Sequence, residues 1–189
     1  MREEIYIRRL RAGDPEAIGR AFTEIGWDKP TERYEQYLAE QRAGARACFV
    51  AEAGGDFAGY CTLEWRSPYE PFATRGIPEI VDLNVLPVFR RRGIGAALLD
   101  AVEATARERS PVVGLGVGLT ADYGAAQRLY VRRGYLPDGR GVVYRNRPVP
   151  PGTTICLDDD AVLMLTLEQE RLRAGSQRVS DRGSCARRR

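Results

Sequence analysis

Apolar and polar residues alternate over residues 5–10, a period of two that predicts a first strand. Asp14-Pro15 reads as an N-cap followed by proline in the first turn. Ala17, Ile18, Ala21, Phe22 and Ile25 then recur at helical spacing, and a second helix is predicted over residues 31–42. Residues 47–52 and 57–65 read as strands joined by a Gly54-Gly55 hairpin turn. Residues 67–76 hold two prolines and two aromatics and read as a loop. A strand follows over residues 77–85, closed by Leu86-Pro87. Gly93 then opens a helix with Ile94, Ala97, Leu98, Ala101, Val102 and Thr105 on one face. Residues 112–119 form a glycine-interrupted strand. Residues 123–133 form a helix that Gly134 stops. The last strands are expected at residues 141–144 and 161–167, with a rigid connector at 148–152. Strands interspersed with helices predict an α/β chain with one mixed sheet covered by helices.

Composition narrows the chemistry. With 189 residues and 43% hydrophobic content, the chain can form a single cored domain without metal or disulfide staples. We expect that domain over residues 1–170, followed by an arginine-rich, disordered tail over 171–189. The 29 basic and 26 acidic residues nearly balance, which argues against a dedicated nucleic-acid binder. The chain has no histidine, and its cysteines (48, 61, 156 and 185) form no CxxC pair. The usual zinc sites and the Ser-His-Asp and Cys-His catalytic sets are therefore excluded, and no metal is expected. Asp158, Asp159 and Asp160 read as a polar turn. The first residues lack the apolar run of a signal peptide, and no stretch is apolar enough to span a bilayer. A cytoplasmic protein with reduced thiols is the simplest expectation.

The chemically informative stretch is residues 79–99: a strand, a short basic loop and an amphipathic helix. The first amides of a helix lack intrahelical partners, and the helix dipole adds positive potential there. Gly93 and Gly95 let a phosphate approach the backbone, and Arg90, Arg91 and Arg92 supply charge. A pyrophosphate suits such a turn. A Walker loop is excluded because no Gly-Lys-Ser/Thr follows, and Leu98 breaks the dinucleotide fingerprint at its third position.

Arg90-Arg91-Arg92-Gly93-Ile94-Gly95 resembles the pyrophosphate loop, Gln/Arg-x-x-Gly-x-Gly/Ala, of the GNAT superfamily of N-acetyltransferases. Leu129-Tyr130-Val131-Arg132-Arg133-Gly134-Tyr135 resembles that family's second block, in the family's order and at its spacing. The resemblance implies the GNAT fold: a central, mixed, mostly antiparallel sheet of six to seven strands, splayed between the fourth and fifth, with about four flanking helices. It implies acetyl-CoA as cosubstrate, with an amine attacking the acetyl carbon directly. Leu83, Asn84 and Val85 would offer backbone groups to the pantetheine arm. Arg90 to Gly95 and Ala96 would hold the pyrophosphate, with Tyr123 and Ala126 completing the coenzyme A contacts. Tyr123 stands where the family often has asparagine.

The resemblance also names catalytic candidates. Tyr130 would protonate the departing thiolate. Glu79, fourteen residues before Gly93, matches the glutamate base of the histone-acetyltransferase branch. A carboxylate can take the proton of an attacking ammonium if burial raises its pKa. Strand alternation is expected to place Glu79 on one face with Leu83 and Val85, and Asp82 on the other. Asp82 and Glu64 are the competing bases. Trp27, Trp65, Tyr69 and Phe72 fall where the family forms its acceptor pocket. The partners so implied are acetyl-CoA and an amine, small or protein-borne, and a homodimer is left open. A non-catalytic acyl-CoA-binding module of the same fold is the first rival, and a nucleic-acid-associated protein the second.

Overall fold

A computed structural model describes residues 4–169, so the tail expected from residue 171 lies outside the described residues. Its strands are β1 (Ile5–Arg9), β2 (Arg46–Ala53), β3 (Asp56–Glu64), β4 (Glu79–Val85), β5 (Val112–Gly118), β6 (Leu136–Tyr144), β7 (Arg147–Pro148) and β8 (Ala161–Glu168). Its helices are α1 (Asp14–Glu24), α2 (Thr31–Arg42), α3 (Glu70–Ala73), α4 (Ile94–Arg107) and α5 (Gly124–Arg133). The strands form one sheet in the order β1-β2-β3-β4-β5-β8-β6-β7. Only the β4–β5 pairing is parallel among the described strands; the rest are antiparallel.

The architecture is the mixed, splayed sheet the sequence implied, with eight strands instead of six or seven. The added strand is β7, two residues that pair with the end of β6 where a rigid connector was expected. β6 also begins earlier than the pattern suggested. Its register against β8 jumps between Pro137 and Val142, and this irregularity hides the period of two. The fifth helix, α3, lies in the segment read as a loop, and its Phe72 is fully buried.

Two apolar layers cover the sheet. On one face, α4 buries Ile94, Leu98, Leu99, Val102 and Ala106 against Ala47, Phe49, Cys61, Leu63, Ile80 and Leu115. On the other, α1 and α2 bury Ile18, Phe22, Tyr34 and Leu38 against Cys48, Val50 and Tyr60. Asp14 is the first residue of α1 and does not cap it. Its carboxylate accepts the Arg11 amide (2.6 Å) and both terminal nitrogens of Arg8 (2.6 and 2.8 Å). Arg133 fixes α5 to α4 through Glu103 (2.6 Å) and Asp100 (2.7 Å), and Glu103 also accepts the Tyr135 hydroxyl at 3.0 Å. The Arg8–Asp14 and Arg133–Glu103 pairs are largely buried, and the cost of desolvating both charges leaves such pairs little net stability.

The glycines of β5 are explained by close approach. A Cβ on Gly114 would lie 2.1 Å from the Phe72 ring, and one on Gly118 would lie 2.4 Å from the Tyr123 ring. The missing side chains let α3 and the start of α5 settle onto the strand. Gly114→Ala is therefore an overpacking change in a closed layer. It should lower the unfolding free energy by about 1–3 kcal/mol, read from the urea midpoint at unchanged m-value. An unshifted midpoint would mean that the Phe72 ring moves aside freely.

Candidate active site

The site begins where the sheet comes apart. β4 and β5 pair only at Glu79–Gly114 and Ile80–Leu115. Beyond Ile80, the edge of β4 that faces β5 has no strand partner among the described residues. β4 also carries a bulge here. Thr62 pairs with Val81 and Tyr60 with Asn84, so Asp82 and Leu83 together oppose Cys61. Asp82 takes φ 55°, a left-handed value uncommon for a non-glycine residue.

The bulge overturns the expected alternation. Ile80, Leu83 and Val85 all pack into the α4 layer, while Asp82 accepts a hydrogen bond from the Tyr37 hydroxyl on α2. Glu79 lies on the same face as Asp82, bonded to Ser67. The extra residue shifts the period by one, so Glu79 does not share a face with Leu83 and Val85, and Asp82 does not oppose it.

Between β4 and α4 the chain makes a short 3₁₀ turn over Pro87–Phe89, and Arg91 adopts φ 62°. Gly93 then caps α4 at φ 91°, a conformation that strongly favours glycine. The first helical bond returns from the Ala97 amide to the Gly93 carbonyl (3.0 Å), so the amides of Ile94, Gly95 and Ala96 point out of the helix start. Arg90 Nε donates to the Val85 carbonyl (3.1 Å), and its guanidinium lies 5.6 Å from the Trp27 ring. Arg92 folds back onto the Val88 carbonyl (2.9 Å) and the Phe89 ring.

These elements enclose a cavity of 1130 Å³. Its walls include Trp27, Leu83, Asn84, Val85, Arg90 and Arg91. They also include Gly93, Ile94, Gly95, Ala96, Tyr123 and Ala126. Twelve residues predicted from the sequence thus meet around one space, and Arg92 is the loop arginine outside it. Tyr123 leans on Gly118 and donates its hydroxyl to Asp159 at 3.0 Å. A Cβ on Gly95 would sit 3.7 Å from Leu129 and 3.9 Å from Val85, both cavity residues.

Neither catalytic candidate, Glu79 nor Tyr130, is among the residues that line this cavity. Glu79 is 6% exposed, and burial raises its carboxyl pKa to about 7; the nearby Glu64 charge raises it further and the Ser67 hydroxyl opposes the shift. Tyr130 is buried in the α4 layer, tilted against Tyr135. Burial, with Cys61 and Tyr123 nearby, pushes its hydroxyl well above the ordinary phenol value. No hydrogen bond ties that hydroxyl among the described residues, and it remains a neutral donor at physiological pH. Glu64 is paired with Arg46, which also bonds Glu40 (2.6 Å) and Thr62 (2.8 Å) and stacks 4.3 Å from the Tyr37 ring.

The aromatic candidates separate. Trp27 lines the cavity and stacks on Phe22 at 5.5 Å. Trp65 packs in the opposite, α4 layer under the Arg109 guanidinium (3.9 Å), because β3 carries it past the sheet to that side. Tyr69 is fully buried with Phe72 and donates its hydroxyl to Asp138 at 2.9 Å, so both rings form a small core instead of a pocket wall.

The model of the acetyltransferase (GNAT) family matches residues 14–135, most of the chain. The chain belongs to the GNAT family. A GNAT acetyltransferase from Desulfovibrio desulfuricans superposes with a TM-score of 0.66 at 21% identity, over 87% of this chain and 99% of that one. Ribosomal-protein-alanine N-acetyltransferase from Brucella melitensis gives 0.64 at 21% identity, over 86% and 99% of the two chains. The acetyltransferase yncA from Salmonella typhimurium, solved with its cofactor acetyl-CoA, gives 0.63 at 20% identity, over 90% and 96%. At these identities the likeness establishes the fold. No curated protein matches the chain in sequence.

Several residues of this GNAT cavity escaped the sequence reading: Asp28, Lys29, Phe89, Leu129, Arg132 and Asp159. Leu129 was readable from its place beside Tyr130. Asp159 reaches the site only through the path of the chain before β8, which no local pattern reveals. Lys29 did carry a signal, as the one lysine among 29 basic residues.

The buried Glu79 makes a pH-dependent stability prediction. Its folded pKa lies above its ordinary value of 4.5, so the fold favours the protonated form. The stability this contributes is present below pH 4.5 and lost as pH rises through about 7. Glu79→Gln should therefore gain on the wild type across that window, by up to about 3 kcal/mol, and level off above it. A difference independent of pH would mean that this carboxyl titrates normally.

Proposed function

We propose that this GNAT chain is an N-acetyltransferase that takes acetyl-CoA into the cleft between β4 and β5 and transfers the acetyl group directly to an amine. The observation that carries the reading is the convergence at one cavity of the unpartnered β4 edge with the free amides of the α4 start. The first offers backbone groups to an extended amide-bearing arm. The second offers donors and positive potential to a pyrophosphate. Gly93 and Gly95 keep that helix start free of side chains.

The catalytic roles follow from proton affinity. Glu79 is the general base, directly or through water, since a carboxyl titrating near 7 is suited to accept an ammonium proton at neutral pH. Tyr130, held neutral by burial, is the acid that protonates the thiolate. The backbone at the bulge, near Leu83, polarises the thioester carbonyl. Asp82 and Glu64, on the Glu79 face, give the acceptor side negative potential, with Trp27 at its margin. Peptide and polyamine amines are both acceptor candidates: one structural relative is named a ribosomal-protein-alanine N-acetyltransferase, and another is a spermidine N-acetyltransferase chimera from Vibrio cholerae and hSSAT.

Gly95→Val tests the cavity. Its Cβ fits at ordinary contact distance, so the fold should survive, but the branched methyls project between Val85 and Leu129. Calorimetry should find acetyl-CoA binding weakened by at least about tenfold, roughly 1.4 kcal/mol. Unchanged affinity in a folded variant removes the cavity assignment. Thiol release across an amine panel then tests catalysis. With a productive acceptor, Glu79→Gln should lower turnover by about 10²–10⁴-fold at unchanged acetyl-CoA affinity and flatten the acidic limb of the pH profile. Tyr130→Phe should also lower turnover while folding normally. Tight binding with no thiol release for any amine would favour a non-catalytic acyl-CoA module instead.

A further inference from the structure

The proposed mechanism makes no use of Lys29, although it lines the cavity. Its backbone is fixed. Trp27 donates its amide to the Phe22 carbonyl and Lys29 donates to the Trp27 carbonyl (both 2.9 Å), while Pro30 caps α2. The side chain is half-buried and runs inward. Its ammonium lies 5.7 Å from the Phe22 ring centre and 5.9 Å from that of Tyr60. Tyr60 pairs with Asn84 across the sheet, so the amine stands at the level of β4 where that strand opens into the cavity. Neither a carboxylate nor a carbonyl bonds it among the described residues.

We infer that Lys29 is an intramolecular acetyl acceptor, modified on Nζ by the acetyl-CoA bound in its own cavity. The inference rests on the proposed cosubstrate. An amine held beside a bound thioester reacts as one molecule and not two, which is worth large rate factors. Its nitrogen attacks the acetyl carbonyl carbon, a C–N bond forms and the C–S bond breaks. Coenzyme A leaves as the thiolate, and the proton the amine gives up balances the one the thiolate takes. Burial supports the chemistry by lowering the proton affinity of Lys29 and enlarging the unprotonated, nucleophilic fraction. Asp82 and Asp159 oppose this shift and Arg33 reinforces it. The many arginines cannot compete, because a guanidinium stays protonated. Lys29 is the only side-chain amine in the sequence, so any second acetyl group must lie elsewhere. Acetylation would also remove a positive charge facing Asp82, changing the potential an incoming amine meets.

The test incubates the full chain with acetyl-CoA and follows intact mass, then maps the site. Trypsin cuts after Arg20 and Arg33, giving a peptide of residues 21–33 that contains Lys29. The expected result is a single acetyl group on that peptide. It should form at a rate per molecule that dilution does not change, at least about tenfold faster than in the urea-unfolded chain. The modification should vanish in Lys29→Arg and slow in Gly95→Val. A chain that binds acetyl-CoA by calorimetry yet leaves Lys29 unmodified, or modifies it equally fast when unfolded, overturns this inference alone. A chain that does not bind acetyl-CoA overturns the proposed function and this inference with it.

Discussion

Everything at this site depends on how briefly β4 and β5 touch. Two residue pairs hold the parallel strands together, and past Ile80 and Leu115 they separate. An open strand edge inside a sheet is ordinarily a liability, because its amides and carbonyls need partners. Here α4 starts directly beside it, and the tight turn after Val85 brings the free amides of that helix to the same space. The α4 layer spans the opening, packing on Phe49 and Leu63 of one half of the sheet and on Leu115 of the other. Tyr60 and Phe22 close one side, while Leu98, Leu115 and Tyr135 close the other.

The face toward α1 and α2 shows a second constraint, the cost of burying charge. Glu79, Glu64 and Asp82 all lie on this side of neighbouring strands. Unpaired, three carboxylates so close would raise one another's proton affinity. Arg46 answers Glu64, Tyr37 answers Asp82, and Glu79 receives only the neutral Ser67 hydroxyl. Burial and unequal partnering together set Glu79 apart. Burial pushes its proton affinity up into the neutral range. Burial likewise keeps Tyr130 protonated on the opposite face, so the sheet itself stands between the two groups.

Much of this was legible in the chain because it is local. The glycine-bearing turn, the amphipathic helix behind it and the Leu129-Tyr130 block each fit within a few helical turns of sequence, and the structure brings the turn, the start of that helix and Leu129 to one cavity. What escaped depends on distant partners. The β4 bulge is marked by neither glycine nor proline; it rests on Asp82 adopting a positive φ while Tyr37, from α2, holds its carboxylate. One inserted residue was enough to reverse the face expected for everything after it. Trp65 and Tyr69 read as pocket aromatics because their sequence neighbourhood allowed it, but Arg109 and Asp138 claim them in the folded chain.

The bulge also links these observations. Without the extra residue, strict alternation would turn either Glu79 or the pair Leu83 and Val85 to the wrong layer. With it, Glu79 faces the acidic side, Leu83 and Val85 face α4, and the backbone between them leaves the regular ladder at the point where the sheet opens. A strand that must present a carboxyl to one layer, apolar side chains to the other and its backbone to a cleft cannot meet all three demands at period two. The irregularity at Asp82 therefore reads as part of how the site is built, and its strain is supported by a hydrogen bond from a different helix.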